Sequence, residues 1–107
     1  MILILMNNNF IYIEMNQYTD PSKVYKNFVK YGFKKEGSQL KPSTRQSKKW
    51  MVLDPSTGKW VHFGAIGYED YTKHNDKIRR KKYRSRMGRF ESAYKYSPGY
   101  LSLVLLW

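Results

Sequence analysis

The chain has 107 residues, which is room for one domain (residues 1–107), and carries 20 Lys and Arg against 8 Asp and Glu, a formal net charge of +12. Hydrophobic residues make up 41% and aromatics 17%, too rich for a disordered tail, and the lack of cysteine excludes disulfides, thiol catalysis and cysteine-ligated zinc. The charge surplus draws in phosphates or acidic surfaces, and no apolar run approaches the roughly 20 residues of a membrane-spanning helix. The start, MILILMNNNF, lacks a basic segment and a small-residue cleavage site and does not read as a signal peptide.

Met1–Met6 and Phe10–Met15 are apolar runs on either side of Asn7-Asn8-Asn9, and they predict a short strand or hairpin. Asp20-Pro21-Ser22 opens a helix over Pro21–Tyr31, with Asp20 as cap and Pro21 in the first helical position. Val24, Phe28 and Tyr31 recur at helical spacing, Lys23, Lys26 and Lys30 fall on another face, and Gly32 is a natural C-terminal stop. Lys34–Ser47 is polar, carries Gly37 and Pro42, and reads as a basic loop.

Trp50–Leu53 and Trp60–Phe63 are strand-like, and Asp54-Pro55-Ser56-Thr57-Gly58-Lys59 between them predicts a hairpin. Gly64–Tyr71 reads as an irregular connection. Thr72 or Asn75 is placed to cap a helix over Lys73–Met87. The stretch Lys73–Arg89 has nine Lys or Arg and a single acid, Asp76, and one apolar stripe of Tyr83, Met87, Phe90 and Tyr94 survives in and beyond it. Gly88 is placed to end or kink that helix. Ser97-Pro98 starts a last helix, Pro98–Leu106, apolar nearly all round. The change of apolar period from two to about 3.6 predicts an α+β fold, a small antiparallel sheet packed with two or three short helices.

Lys77, Arg79, Arg80, Lys81, Lys82, Arg84, Arg86 and Arg89, with Lys48 and Lys49 at the hairpin, are the candidate polyanion-binding residues. Cations at this density repel one another unless an anion neutralises them. No zinc finger, RNA-recognition signature or basic zipper is present, so nucleic acid would be held by backbone contacts with little sequence preference. Trp50 and Trp60 beside lysines could stack bases, but in an antiparallel pair such residues more often form a cross-strand core contact.

His62, Glu69, Asp70, His74 and Asp76 lie close in sequence, yet their spacing matches no established metal site, and Asp70 and Asp76 suit helix capping. No catalytic residue, metal or cofactor is assigned. Thr57-Gly58-Lys59 lacks the rest of a phosphate loop. At the C-terminus, Leu101, Val104 and Leu105 are expected to dock on the core. Leu103, Leu106 and Trp107 then point elsewhere and are expected to serve partner binding or self-association.

The stretches KPSTRQSKKWMVLDPSTGKWVHFG (Lys41–Gly64), YEDYTKHNDKIRRKKYRSRM (Tyr68–Met87) and SPGYLSLVLLW (Ser97–Trp107) resemble the small, basic, uncharacterised proteins of large nucleocytoplasmic DNA viruses. The resemblance covers about Lys41–Trp107. It implies a viral origin, a location in the virion or in the host cytoplasm or viral factory, and no proven activity. The expectation is a virion-associated structural protein, not an enzyme, that binds nucleic acid or another polyanion non-specifically. A minor capsid or cement protein meeting acidic virion proteins and a metal-dependent nuclease are the alternatives.

Overall fold

The computed structural model describes residues 17–107. The expected strand or hairpin within Met1–Met15 lies outside these residues. Helix α1 spans Pro21–Lys30. Asp20 caps it, its carboxylate accepting from the Ser22 amide at 3.0 Å and the Lys23 amide at 3.4 Å. Gly32, at φ +84°, ends it. The Phe33 amide reaches back to Phe28 O at 3.2 Å and the Gly32 amide to Val29 O at 3.0 Å. That pair of bonds is a Schellman stop, and its customary apolar contact is present: the Phe28 and Phe33 rings stack at 5.6 Å. Tyr31, predicted within the apolar face, instead falls at the cap and is exposed.

Three antiparallel strands follow as a meander in the order β1 (Leu40–Pro42), β2 (Lys48–Asp54) and β3 (Lys59–Ala65). Strand β1 lies where the sequence predicted only loop. It has one apolar side chain, and Pro42 is tolerated because β1 is an edge strand. The hairpin of β2 and β3 forms as predicted, with Met51 opposite His62 and Val52 opposite Val61. The two tryptophans do not meet across it. Trp50 faces Phe63, whereas Trp60 faces Leu53 and carries the Lys41 ammonium 5.3 Å from its ring centre. The turn is built by Asp54, which accepts from the Ser56 amide at 3.0 Å and the Gly58 amide at 2.8 Å.

The single helix predicted over Lys73–Met87 is two. Helix α2 spans Tyr71–His74 and is capped by Asp70, so neither expected cap starts a helix: Thr72 lies inside α2 and Asn75 ends it. Asn75 then takes a left-handed turn at φ 55°, and Asp76 caps α3, Lys77–Met87. Asn offers its short polar side chain to a backbone turn that most residues resist, which is why the chain breaks here. A 3₁₀ turn, Gly88–Ser92, follows α3. The last predicted helix is also divided: α4 is Pro98–Leu101, continued by a π-helical turn over Ser102–Leu106.

One core joins these elements. Val24 and Phe28 of α1, Phe33, Trp50, Val52 and Phe63 of the sheet, Tyr96, and Leu101, Leu105 and Leu106 form a continuous buried cluster. Each buried leucine contributes about 1.5–3 kcal/mol relative to an exposed one. The widened final turn places Leu106 inward with Leu101 and Leu105 at 2% exposure, and Leu103, at 1% exposure, is buried apart from that cluster. The expectation that Leu103 and Leu106 face a partner is therefore corrected: both are interior. Asn27 Nδ2 seals the junction by donating to Leu105 O at 3.0 Å.

Candidate polyanion interface

Helix α3 buries no residue completely. Three attachments hold it. Asp76 accepts from the Ile78 and Arg79 amides at 2.9 and 3.1 Å, and these backbone donors hold its carboxyl below the usual carboxylate range. Tyr83 stacks face to face on Trp107 with centroids 4.3 Å apart. Arg80 Nε and Arg84 Nε both donate to the main-chain oxygen of Trp107, at 2.6 and 3.3 Å. The Arg80 guanidinium also lies 4.6 Å from the centre of the Tyr71 ring.

These attachments divide the ten cations chosen from the sequence. Lys77, Arg79, Lys81, Lys82, Arg86 and Arg89 are exposed. Among the described residues none of the six forms an ion pair. Arg80 and Arg84 are half-buried and committed to Trp107, so they are fixtures of the fold before they are donors to a ligand. Lys48 is half-buried at the start of β2. Trp107, expected at an interface, is half-buried and stacks on Tyr83.

Lys49 is a correction. It is 2% exposed, and its ammonium donates to Asp70 Oδ2 at 3.2 Å. Burial pushes its pKa down, and the Asp70 carboxylate opposes that shift. Asp70 Oδ1 in turn accepts from the Thr72 amide at 3.0 Å and from the Thr72 hydroxyl, whose oxygen also takes the Asp20 amide at 2.9 Å. The Trp50 indole N–H reaches Thr19 Oγ1 at 3.4 Å, and Thr19 meets Thr72 at 3.2 Å. Strand β2, the start of α1 and α2 are thus tied by one buried polar network with Lys49 as a structural member.

The histidines and acids do not converge. His62 Nδ1 is 2.7 Å from Ser43 Oγ, tying β3 to the loop after β1. His74 packs 5.2 Å from the Trp107 ring, and its Nδ1 accepts the Asp76 amide at 2.9 Å. Asp70 and Asp76 are caps, and Glu69 is exposed. Among the described residues no three such side chains form a metal-binding group. Burial lowers the pKa of both histidines, reinforced by Arg45 at His62 and by Arg79 at His74. Both are therefore neutral at pH 7.

A cleft of about 550 Å³ opens between α3 and the sheet. Arg79, Lys82 and Arg86 stand on its helical wall, Lys48 on the other, and Tyr68, which is largely exposed, at its mouth. Across it, Gly64 takes φ +82°, and a Cβ there would meet Leu106 Cδ1 at 2.9 Å. A second cleft of about 290 Å³ lies on the other side of Trp107, between α1 and α3. Lys23, Lys26 and Lys30 face Arg80 and Arg84 there. The sequence shows those lysines on one helical face. What it does not show is that a basic face of α3 lies opposite.

Residues 38–87 match a family of unknown function, DUF5754. The matched stretch holds the meander, α2 and α3, and leaves out α1 and α4. No curated protein and no solved structure matches the chain.

Proposed function

We propose that this chain is a binding protein, not an enzyme, that holds nucleic acid by its phosphate backbone on the exposed cations of α3 and the 3₁₀ turn, including those on the wall of the larger cleft. The observation that carries the reading is the run of exposed cations Lys77, Arg79, Lys81, Lys82, Arg86 and Arg89, none paired with a carboxylate among the described residues. An 11-residue helix is about 16 Å long, so the five of these charges that it carries, with Arg89 just beyond its end, crowd a short rod and repel until an anion neutralises them. Arginine adds bidentate geometry for phosphate. The absence of sequence preference follows from contacts that reach phosphates and not base edges. The viral resemblance of residues 41–107 would put this binding in a virion, as packaging of a polyanion.

The test is binding to random-sequence duplex DNA by anisotropy, with Lys81→Gln, Lys82→Gln and Arg86→Gln combined. Lys81 and Lys82 are exposed, and the Arg86 guanidinium lies 5.9 Å from the centre of the Tyr83 ring, a contact that glutamine gives up without unstacking Tyr83 from Trp107. The expected result is weaker binding with an unchanged melting temperature. Unchanged affinity would sink the proposal. Failure of the native chain to bind DNA even at low salt would transfer the same cations to an acidic protein partner.

A further inference from the structure

The smaller cleft combines features that the exposed cations of α3 lack. Its five cations come from two helices: Lys23, Lys26 and Lys30 from α1, Arg80 and Arg84 from α3. No Asp or Glu lines it among the described residues. The partners that hold these cations in place leave most of their charge unbalanced. Lys23 Nζ donates to the neutral amide oxygen of Asn75 at 2.8 Å. Arg80 and Arg84 share a single oxygen of Trp107 through their Nε atoms, which leaves the Nη donors of both free for another acceptor. Five positive charges remain if that oxygen is an amide's and four if it is a carboxylate's.

We propose that this cleft is a binding site for a phosphate group. Guanidinium pairs suit phosphate because each presents parallel N–H donors to two of its oxygens, and the lysines add point charges from the facing helix. The arginines are already oriented, Arg80 by the Tyr71 ring and both by Trp107, so little side-chain entropy remains to be lost on binding. At about 290 Å³ the space is at the small end of ligand pockets and takes a phosphate with room for the group that carries it. The group could belong to a nucleic-acid backbone or to free phosphate and small phosphate esters, and the chemistry that recognises them is the same.

The experiment is calorimetric titration of the full chain with inorganic phosphate at constant ionic strength, with chloride as the blank. The native chain is expected to bind phosphate above the blank. Lys26→Gln combined with Lys30→Gln is expected to weaken that binding at least about tenfold with no change in melting temperature, since neither side chain supports the core. The Lys81, Lys82 and Arg86 variant is expected to keep it, which separates this site from the proposed nucleic-acid face. Competition between a short DNA strand and phosphate in the native chain identifies the backbone as the source of the group. Simultaneous binding identifies a free phosphate or ester. Phosphate that binds no better than chloride overturns the proposal, as does binding lost in the Lys81, Lys82 and Arg86 variant and kept in the Lys26 and Lys30 variant.

Discussion

Lys49 illustrates how one residue changes role once its neighbours are known. In sequence it is one of two adjacent lysines and looks like surface charge. Alternation places only one member of such a pair outward, and the inward one has Asp70 waiting 3.2 Å away. Removing the ammonium leaves Asp70 buried and uncompensated. Lys49→Ala is expected to cost about 3–5 kcal/mol, read by chemical denaturation, with no specific effect on polyanion affinity in the folded fraction. A surface lysine would show the opposite pattern. His74 gives a pH dependence. Its folded pKa is lowered, chiefly by burial, so the unfolded chain binds a proton that the folded chain refuses. Stability is then full above about pH 6.5 and declines as pH falls below that value. Melting curves between about pH 7.5 and pH 5 should show the decline, and His74→Gln should flatten it. A decline of equal slope in that variant would assign the effect to His62 or to other groups.

At the level of elements, most caps and the strongly patterned segments were legible, but Thr72 and Asn75, expected to start a helix, do not. Asp20, Asp76 and Gly32 act where the sequence put them, and the β2–β3 hairpin follows from branched and aromatic residues around Asp-Pro and Gly. Strand β1 was not legible, because Leu40-Lys41-Pro42 is recruited by pairing with Trp50–Val52 and not by its own propensity. The C-terminal segment was legible as apolar but not as wholly interior. A regular helix would have turned Leu106 well away from Leu101 and Leu105, and the wider π-helical turn brings it round to them, while Leu103 is buried apart from that cluster. Removing Leu103–Trp107 should therefore abolish the fold and not merely an assembly. Leu103, Leu105 and Leu106 together contribute an amount comparable to the whole net stability of a small domain, about 5–15 kcal/mol. Circular dichroism of the truncated chain is the measurement, and a retained cooperative melt would restore the interface reading.

For the whole molecule, the sequence displayed the charge but not its allotment. Twenty cations are visible in composition, yet tertiary structure assigns Lys49, Arg80 and Arg84 to internal duties and groups Lys23, Lys26 and Lys30 with a distant helix. The allotment predicts a number. If the six exposed cations of residues 77–89 neutralise phosphates, the logarithm of the DNA affinity should fall against the logarithm of salt with a slope of about −5. Engagement of all ten sequence-chosen cations would give about −9. A titration over low to moderate salt distinguishes the two, and a slope near zero would remove electrostatics from the binding altogether.

The bond from Asn27 to Leu105, 78 positions along the chain, also sets an order of events during synthesis. The meander is built from neighbouring strands, so it can pair while the ribosome is still adding residues. Helix α1 emerges earlier still, but the leucines that bury Val24 and Phe28 arrive last. Until they do, α1 has an uncovered apolar face and several exposed lysines, and the nascent chain is both sticky and basic beside an RNA-rich machine. Pulse proteolysis of stalled chains should find residues 40–65 protected before residues 21–33 are.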